Sequence, residues 1–446
     1  MNKVLIVTYH FPPRPTVASL RPLGLAKYLP EFGWKAVILT AALPGRPDPQ
    51  FEVVETPHRD SAALGWGKRL FKLDTEQSLM AQVAQLKKKL GIRSERSPLD
   101  VLLAAVGEVT AYPDPQKGWR RFAVEAGEDI LRQQNIKAII SPSPPVTSHV
   151  IAGELKGKFK IPWVADFRDL WTQNYYYPYS PLRRMHERRL ELKTLSMVDA
   201  LVTISRPAAD DLRSLHKEKP VHSIPNGFDL AEVNTTSAKL TDKFTITYTG
   251  NLYPDKQSPE PLFAALRDLI TEGSMDASDI EVVFYGPQSG WVDKQAERYG
   301  LLAIVKQLGI VPREIALNKQ RESQLLLLLK WNDPRQRGVY TAKIFEYMAA
   351  KRPVLAVGDF PDVVDDLLNE TKAGISAQTG EEIKDVLLRI YQEYRSTGAV
   401  SYSGDETEIN KYSHREMARR FAQVLDNVSR SAPTPQHFIR QTWRYG

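Results

Sequence analysis

The 446-residue chain contains no cysteine at all. Disulfides and cysteine-ligated metals are therefore excluded, which fits a reducing compartment. Long apolar runs are missing as well. Val101–Val106 and Leu325–Leu329 span six and five residues, against the roughly 18–20 that a membrane helix needs. The opening M-N-K-V-L-I-V-T-Y-H-F-P-P has an apolar core too short for a signal peptide and no small-residue cleavage site. These absences lead us to expect a cytoplasmic protein that is at most peripheral on the inner face of a membrane. No Gly-rich Walker loop, zinc-type His cluster or G-x-S-x-G elbow occurs. No Asp-x-Asp triplet stands at an expected strand end, so no bound metal and no other cofactor is expected.

What the chain does have is a modest and local excess of positive charge. Lys and Arg number 60 against 53 Asp and Glu. Much of the excess lies in Lys68–Lys72, Lys87–Arg96 and Arg183–Arg189. Such clusters bind anionic lipid, nucleic acid or phosphorylated substrates, or they are solvated helix faces. The Lys68–Arg96 region also carries Trp66, Leu70, Phe71 and Leu73. It is the segment expected to meet an anionic membrane surface; nucleic acid is not an expected partner.

A chain of this length suggests two or three domains. In its first half, compact apolar strands at Lys3–Thr8, Ala36–Thr40, Ala138–Ser141, Trp163–Asp166 and Leu201–Ile204 alternate with helices. A second unit follows Ile224-Pro225-Asn226-Gly227, with strands at Phe244–Thr249, Ile280–Tyr285, Gln324–Leu329, Val354–Val357 and Gly374–Ala377. Continuous apolar strands separated by helices predict an α/β protein built on parallel sheets covered on both faces. We read residues 1–225 as the first domain, interrupted by an insertion at about 44–119 that holds one helix, Glu76–Leu90. The second domain covers 226–404. A helical region at 405–428 can pack back on the first domain, and 429–446 is a tail.

The most informative stretch is Tyr340–Val357, Y-T-A-K-I-F-E-Y-M-A-A-K-R-P-V-L-A-V. Its polar, small-residue start at Thr341 and Ala342 opens a helix whose unpaired N–H groups and dipole suit a pyrophosphate. Lys343 and Glu346 share one helical face. The ammonium can neutralise phosphate, and the carboxylate can accept hydrogen bonds from a ribose diol. That pairing describes a nucleotide-sugar pocket, although Lys and Glu three residues apart are also a common surface pair.

Further strings extend the pattern: F-P-P-R-P-T-V-A-S-L-R-P-L-G-L-A-K-Y-L-P-E-F-G-W, S-P-S-P-P-V-T-S-H, I-P-W-V-A-D-F-R-D-L-W, I-P-N-G-F-D, Y-T-G-N-L-Y-P-D-K and V-P-R-E. In order and spacing they resemble glycosyltransferase family 4, from residue 1 to about Leu425. That resemblance implies the GT-B fold, two Rossmann-like doubly wound domains facing each other across a cleft. It implies a retaining, metal-independent transfer of sugar from a nucleotide-diphosphate sugar to a surface polysaccharide, lipopolysaccharide or other glycoconjugate acceptor, glycan or lipid-linked.

Residue by residue, the resemblance places the ribose on Glu346. It places the leaving diphosphate between Gly250, Lys256, Lys343 and the helix start at Thr341–Ala342, with Gly286 on the nucleobase side. Four departures stand out. The first is Arg14-Pro15-Thr16-Val17-Ala18, where many members have a Gly-Gly pair between strand and helix, so that this loop faces the acceptor or Arg14 or Arg21 makes the contacts. Asn251 occupies the place of a phosphate-gripping Arg, so Lys343 or Arg337 must supply that charge. Gly338 stands eight residues before Glu346, where the family often has a first Glu. Asp166 stands where many members have a His that contacts the donor sugar. A carboxylate there could accept sugar hydroxyls with Arg168 holding it ionised, or it could form a structural ion pair that braces the loop. Asp166, Arg168 and Lys256 are thus the catalytic candidates, and Arg14, Arg21, Asp169 and Trp171 the acceptor-side ones. Rival readings are a non-catalytic GT-B-like scaffold, a polyanion-binding protein, and a GT-B sugar-nucleotide epimerase or hydrolase.

Overall fold

Segments three to eight residues long, most of them rich in Val, Ile, Leu and aromatic residues, form thirteen parallel strands in the computed structural model, which describes residues 1–13, 16–59, 110–177, 179–232 and 238–431. Seven make the first sheet: β1 (Asn2–Val7), β2 (Trp34–Ala41), β3 (Glu52–Thr56), β4 (Ile136–Ser143), β5 (Trp163–Phe167), β6 (Ala200–Thr203) and β7 (Val221–Ser223). Their order is β3-β2-β1-β4-β5-β6-β7. Six make the second: β8 (Phe244–Thr249), β9 (Ile280–Tyr285), β10 (Val305–Gly309), β11 (Leu325–Leu329), β12 (Val354–Val357) and β13 (Gly374–Ala377), in the order β10-β9-β8-β11-β12-β13. Every pairing is parallel.

Parallel strands need crossover connections, and the crossover helices cover both faces. Central strands can therefore be apolar throughout, and all five leucines of β11 are fully buried. Strand order reverses between β1 and β4 and again between β8 and β11. At such a switch point successive crossovers diverge and leave a crevice outside the carboxyl ends of the strands.

Three strands were not expected from the residues: β3, β7 and β10. Each is the edge of its sheet or next to solvent along one side. An edge strand buries little, so its sequence need not be apolar. β3 reads E-V-V-E-T and β10 reads V-K-Q-L-G. Glu52–Thr56 also corrects the proposed insertion. It lies inside 44–119 but pairs with Val37–Ala41 as part of the first sheet. The expected helix Glu76–Leu90 and the basic segments of 68–96 lie outside the described residues.

The chain's last helix belongs to the first sheet. The 405–428 region is two helices, Glu406–Asn410 and His414–Ser431. Met417, Phe421, Val424 and Leu425 form the buried side of the second, packed with Val4, Ile6 and the helix Val17–Tyr28. The returning chain crosses the outgoing linker where the two helices break. Phe228 N–H donates to the Tyr412 carbonyl (3.2 Å), and His414 N–H to the Phe228 carbonyl (2.8 Å). Asp229 of the I-P-N-G-F-D string ties this crossing to the first unit by accepting from Lys27 and Tyr28. Among the described residues no helix is long and apolar enough to cross a membrane.

Candidate active site

The floor of the site is made by the ends of β8, β9 and β10. Gly250 follows β8 with φ at 106°, a conformation that a side chain disfavours. A Cβ there would sit 3.3 Å from Lys343 Cε. Gly286, after β9, lies so close that a Cβ would stand 2.2 Å from the Gly250 carbonyl oxygen. The loops are also stitched by Gly250 N–H to the Tyr285 carbonyl (2.7 Å) and Gly286 N–H to the Gly309 carbonyl (3.0 Å). Gly250 and Gly286 are therefore close-approach positions that bring two strand ends together beneath Lys343.

Lys343 sits one residue into the helix Ala342–Ala349. Its ammonium is half-buried, lies 4.9 Å from the Tyr248 ring centroid, and has no hydrogen-bond or ion-pair partner among the described residues. Burial pushes its pKa down to about 8, while Glu346 pulls the other way. A desolvated cation beside a glycine turn and a helix start is poised for an anion. Thr341 is the residue before the helix, but its hydroxyl makes no capping bond and is buried without a partner. The first turn is thus not closed by its own side chain.

Glu346, one turn on, does not float. Arg313 Nη1 donates to one carboxylate oxygen, and Gln320 Nε2 approaches the other at 3.4 Å. Arg313 Nη2 reaches Glu232 at 2.7 Å. Gln320 also donates to Thr249 at the end of β8 (2.9 Å), whose N–H donates to the Tyr347 hydroxyl (2.9 Å). Arg313 was not singled out from the residues. Its only signal was the V-P-R-E string, which places it at the first turn of the helix Arg313–Glu322.

Lys256 lies elsewhere. Its ammonium stands 3.8 Å over the ring of Tyr176, which comes from the first domain. Tyr176 packs against Trp331 at 5.3 Å, and Tyr253 stacks on the same indole at 5.5 Å. Tyr176 and Trp331 line a cavity of about 630 Å³ between the carboxyl ends of the two sheets. Arg168 and Asp169 of the first domain and Arg335, Arg337 and Gly338 of the second share its wall. Tyr176 and Trp331 were also missed; the run Y-Y-Y at 175–177 was the available sign. Asn251 is exposed and takes part through its carbonyl, which accepts from the Tyr248 hydroxyl (2.8 Å).

Gly338 explains the missing first acid. A Cβ there would lie 3.0 Å from Pro207 Cβ and 3.2 Å from Ser205 Oγ of the first domain. The position is packed at the domain boundary, so a side chain there would require Pro207 and Ser205 to shift. Arg337, its neighbour, is exposed on the cavity wall.

On the first domain the expected roles redistribute. Asp166 is completely buried in β5, and both its oxygens are held by Arg21, Nε at 2.8 Å and Nη2 at 2.9 Å. Arg21 is itself buried and also donates to the carbonyls of Ile224 and Pro225. Of the two readings of Asp166, the geometry is that of a structural ion pair, and its partner is Arg21 rather than Arg168. Arg168 pairs with Asp169 instead (2.9 Å). Trp171 is buried and donates to Glu187 (2.8 Å), so it braces the wall from behind and does not line the cavity. Arg14 lies outside the described residues. The structure thus gathers Gly250, Gly286, Lys343 and Glu346 in one place. It puts Arg168 and Asp169 on the wall of the larger cavity, leaves Lys256 on Tyr176 beside it, and buries Asp166, Arg21 and Trp171. Among the described residues no three His, Asp or Glu side chains group as a metal site.

Two doubly wound parallel sheets with a cleft at their facing carboxyl ends define the GT-B fold. Solved structures of that fold share the architecture from end to end. Anabaena HepE in complex with UDP and glucose superposes with a TM-score of 0.57 at 14% identity, covering 96% of this chain and 100% of its own. Sucrose-phosphate synthase from Thermosynechococcus elongatus gives 0.56 at 13% identity, covering 97% of each chain. WaaG, a glycosyltransferase involved in lipopolysaccharide biosynthesis, gives 0.51 at 11% identity over 97% of this chain and 100% of its own. Residues 92–232, about a third of the chain, are similar to the model described as Glycosyltransferase Family 4, and of the strings that carry the resemblance S-P-S-P-P-V-T-S-H, I-P-W-V-A-D-F-R-D-L-W and I-P-N-G-F-D lie within that match. No curated protein matches the chain in sequence.

Proposed function

We propose that the protein is a retaining glycosyltransferase that moves a sugar from a nucleotide-diphosphate sugar to a polysaccharide, lipopolysaccharide or other glycoconjugate acceptor. The observation that carries the reading is Lys343. It is an unpartnered, half-buried ammonium at a helix start beside the Gly250 turn, with Glu346 held ready one turn away. UDP and glucose are bound in the Anabaena relative, which makes UDP the first nucleotide to try. The diphosphate lies over Gly250 and the first turn of Ala342–Ala349, its charge met by Lys343, and the ribose diol on Glu346. Lys256 leaves Tyr176 to reach the leaving phosphate as negative charge grows there. The acceptor enters the 630 Å³ cavity, where Arg168, Asp169 and Asn174 offer hydrogen bonds and Tyr176 and Trp331 offer ring faces.

Asp166, sealed behind Arg21, is not available as a nucleophile. Retention is assigned to displacement on one face: the anomeric carbon–phosphate oxygen bond breaks, the acceptor oxygen bonds to the same face, and the leaving phosphate oxygen takes the acceptor proton. Lysine charge and the helix dipole neutralise the leaving group, and no metal is needed. A panel of sugar nucleotides assayed for hydrolysis and transfer, with and without EDTA, tests the reading. Turnover of at least one donor, unchanged by EDTA, is expected. No turnover and no thermal stabilisation by any nucleotide diphosphate or its sugar would mean a scaffold, since a specific ligand raises stability by mass action. Metal-reversible loss in EDTA would overturn the metal-free mechanism.

A further inference from the structure

The helix Pro181–Leu195, P-L-R-R-M-H-E-R-R-L-E-L-K-T-L, looks like a mixed-charge solvated helix in sequence. Folding sorts its residues by side. Arg183, Glu187, Glu191 and Leu195 are buried. Glu187 accepts from Arg183 and from Trp171. Glu191 accepts from the Thr172 backbone and faces His216. Both acids of the helix are thereby spent on the core.

What remains outside is cationic and apolar. Leu182, Met185 and Leu192 are 64%, 46% and 42% exposed, and Met197 just beyond the helix is 42% exposed. These are four of the twelve large apolar side chains left exposed among the described residues, and three of them lie on this one helix. Leu182, Met185, Arg189 and Leu192 follow helical spacing along one stripe. Arg188, Arg189 and Lys193 are exposed and form no ion pair with any described residue.

An ordinary solvated face mixes signs and shows few large apolar groups. A helix with Leu and Met on the stripe and only cations beside it suits the boundary between headgroups and acyl chains. We propose that this face docks on an anionic lipid bilayer, with Leu182, Met185 and Leu192 entering the interface and Arg188, Arg189 and Lys193 meeting the headgroup phosphates. The apolar stripe favours lipid over nucleic acid, which would use the charge and leave the leucines in water. The docking face is built without the 68–96 segment, which lies outside the described residues. Its purpose rests on the glycosyltransferase reading: Tyr175 and Tyr176, on the wall of the large cavity, lie in the loop that leads into this helix, so a lipid-linked acceptor is presented close to the cleft.

The test is sedimentation of the full-length protein with large vesicles, of phosphatidylcholine alone or with about 30% phosphatidylglycerol added to make the surface anionic. Partition onto the anionic vesicles is expected, falling with salt. The Arg188→Glu, Arg189→Glu, Lys193→Glu variant should lose about 100-fold, at about fivefold per charge. A Leu182→Gln, Met185→Gln, Leu192→Gln variant should lose at least tenfold with all charges kept. Thermal midpoint and UDP affinity should not move in either. The proposal is overturned if neither variant changes partition, or if the apolar variant is neutral while binding to polyuridylate RNA outcompetes the vesicles. Failure of the enzyme reading is separable: vesicle binding without any nucleotide binding sinks the glycosyltransferase and leaves the docking surface standing.

Discussion

Arg21 and Arg313 line the same small cavity in the cleft, and each holds a carboxylate, yet the two pairs are built differently. Arg21 and Asp166 leave 3% and 0% of their side chains exposed, and the guanidinium is saturated by Asp166 and two linker carbonyls. Arg313 and Glu346 keep 34% and 21% exposed, and Arg313 divides itself between Glu346 and Glu232. The first pair joins β5, the helix Val17–Tyr28 and the linker; nothing can enter without dismantling it. The second can exchange one partner for a ligand at small cost. In one cleft, then, the sealed pair is closed to any ligand and the open pair is the one a ligand can reach.

Breaking the sealed pair should have the largest effect. Asp166→Asn or Arg21→Met leaves a buried charge alone, at a cost of about 3–5 kcal/mol. Urea unfolding should show that loss, with activity falling only as folded protein is lost. The double replacement Arg21→Met, Asp166→Leu should recover most of it. A loss under about 1 kcal/mol, with turnover abolished, would return Asp166 to the chemistry.

The open pair should respond in the opposite sense. Glu346→Ala removes hydrogen bonds to an ionised group and should weaken UDP binding by about 1.5–3 kcal/mol. Stability should change by about 1 kcal/mol at most, because the pair is solvent-screened. Calorimetric titration and urea unfolding on the same variant check both halves. Unchanged affinity would mean the ribose is held elsewhere.

The smallest effect, and the one that sharpens the site, is pH. Lys343 is depressed to about 8 by burial. A diphosphate beside it favours the charged form, so binding must take up a proton wherever the free protein's Lys343 is neutral. UDP affinity should be level below about pH 8 and fall above it, by up to about 1.4 kcal/mol per unit. Stability moves the other way. The unfolded lysine keeps its proton to about 10.5, so between about 8 and 10.5 the unfolded chain binds more protons and this group's penalty is relieved as pH rises. Lys343→Met should flatten both profiles. A slope that survives the substitution assigns the proton to another group.

How much of this was legible follows burial. Central strands announced themselves because both faces are apolar; β3, β7 and β10 did not, because an edge needs only half a face. Lys343 and Glu346 were readable because they sit on one short helix, where spacing alone sets the shared face. Arg313 was not, since it meets Glu346 from 33 residues away. Asp166 was placed correctly at a strand end, but its partner lies 145 residues away on the first helix, and no local pattern distinguishes Arg21 from Arg168.

Local order in the chain therefore determined the α/β class, the two units and the helix that carries Lys343 and Glu346, because those depend on periodicity over a few residues. Only the tertiary structure decided which charges are buried. Along Pro181–Leu195 it turned both acids inward and left the cations outside; in the cleft it closed Asp166 and left Glu346 open. The physical reason is desolvation. A charge is tolerated inside only where a partner from a distant segment meets it, and which distant segments meet is a property of the folded chain.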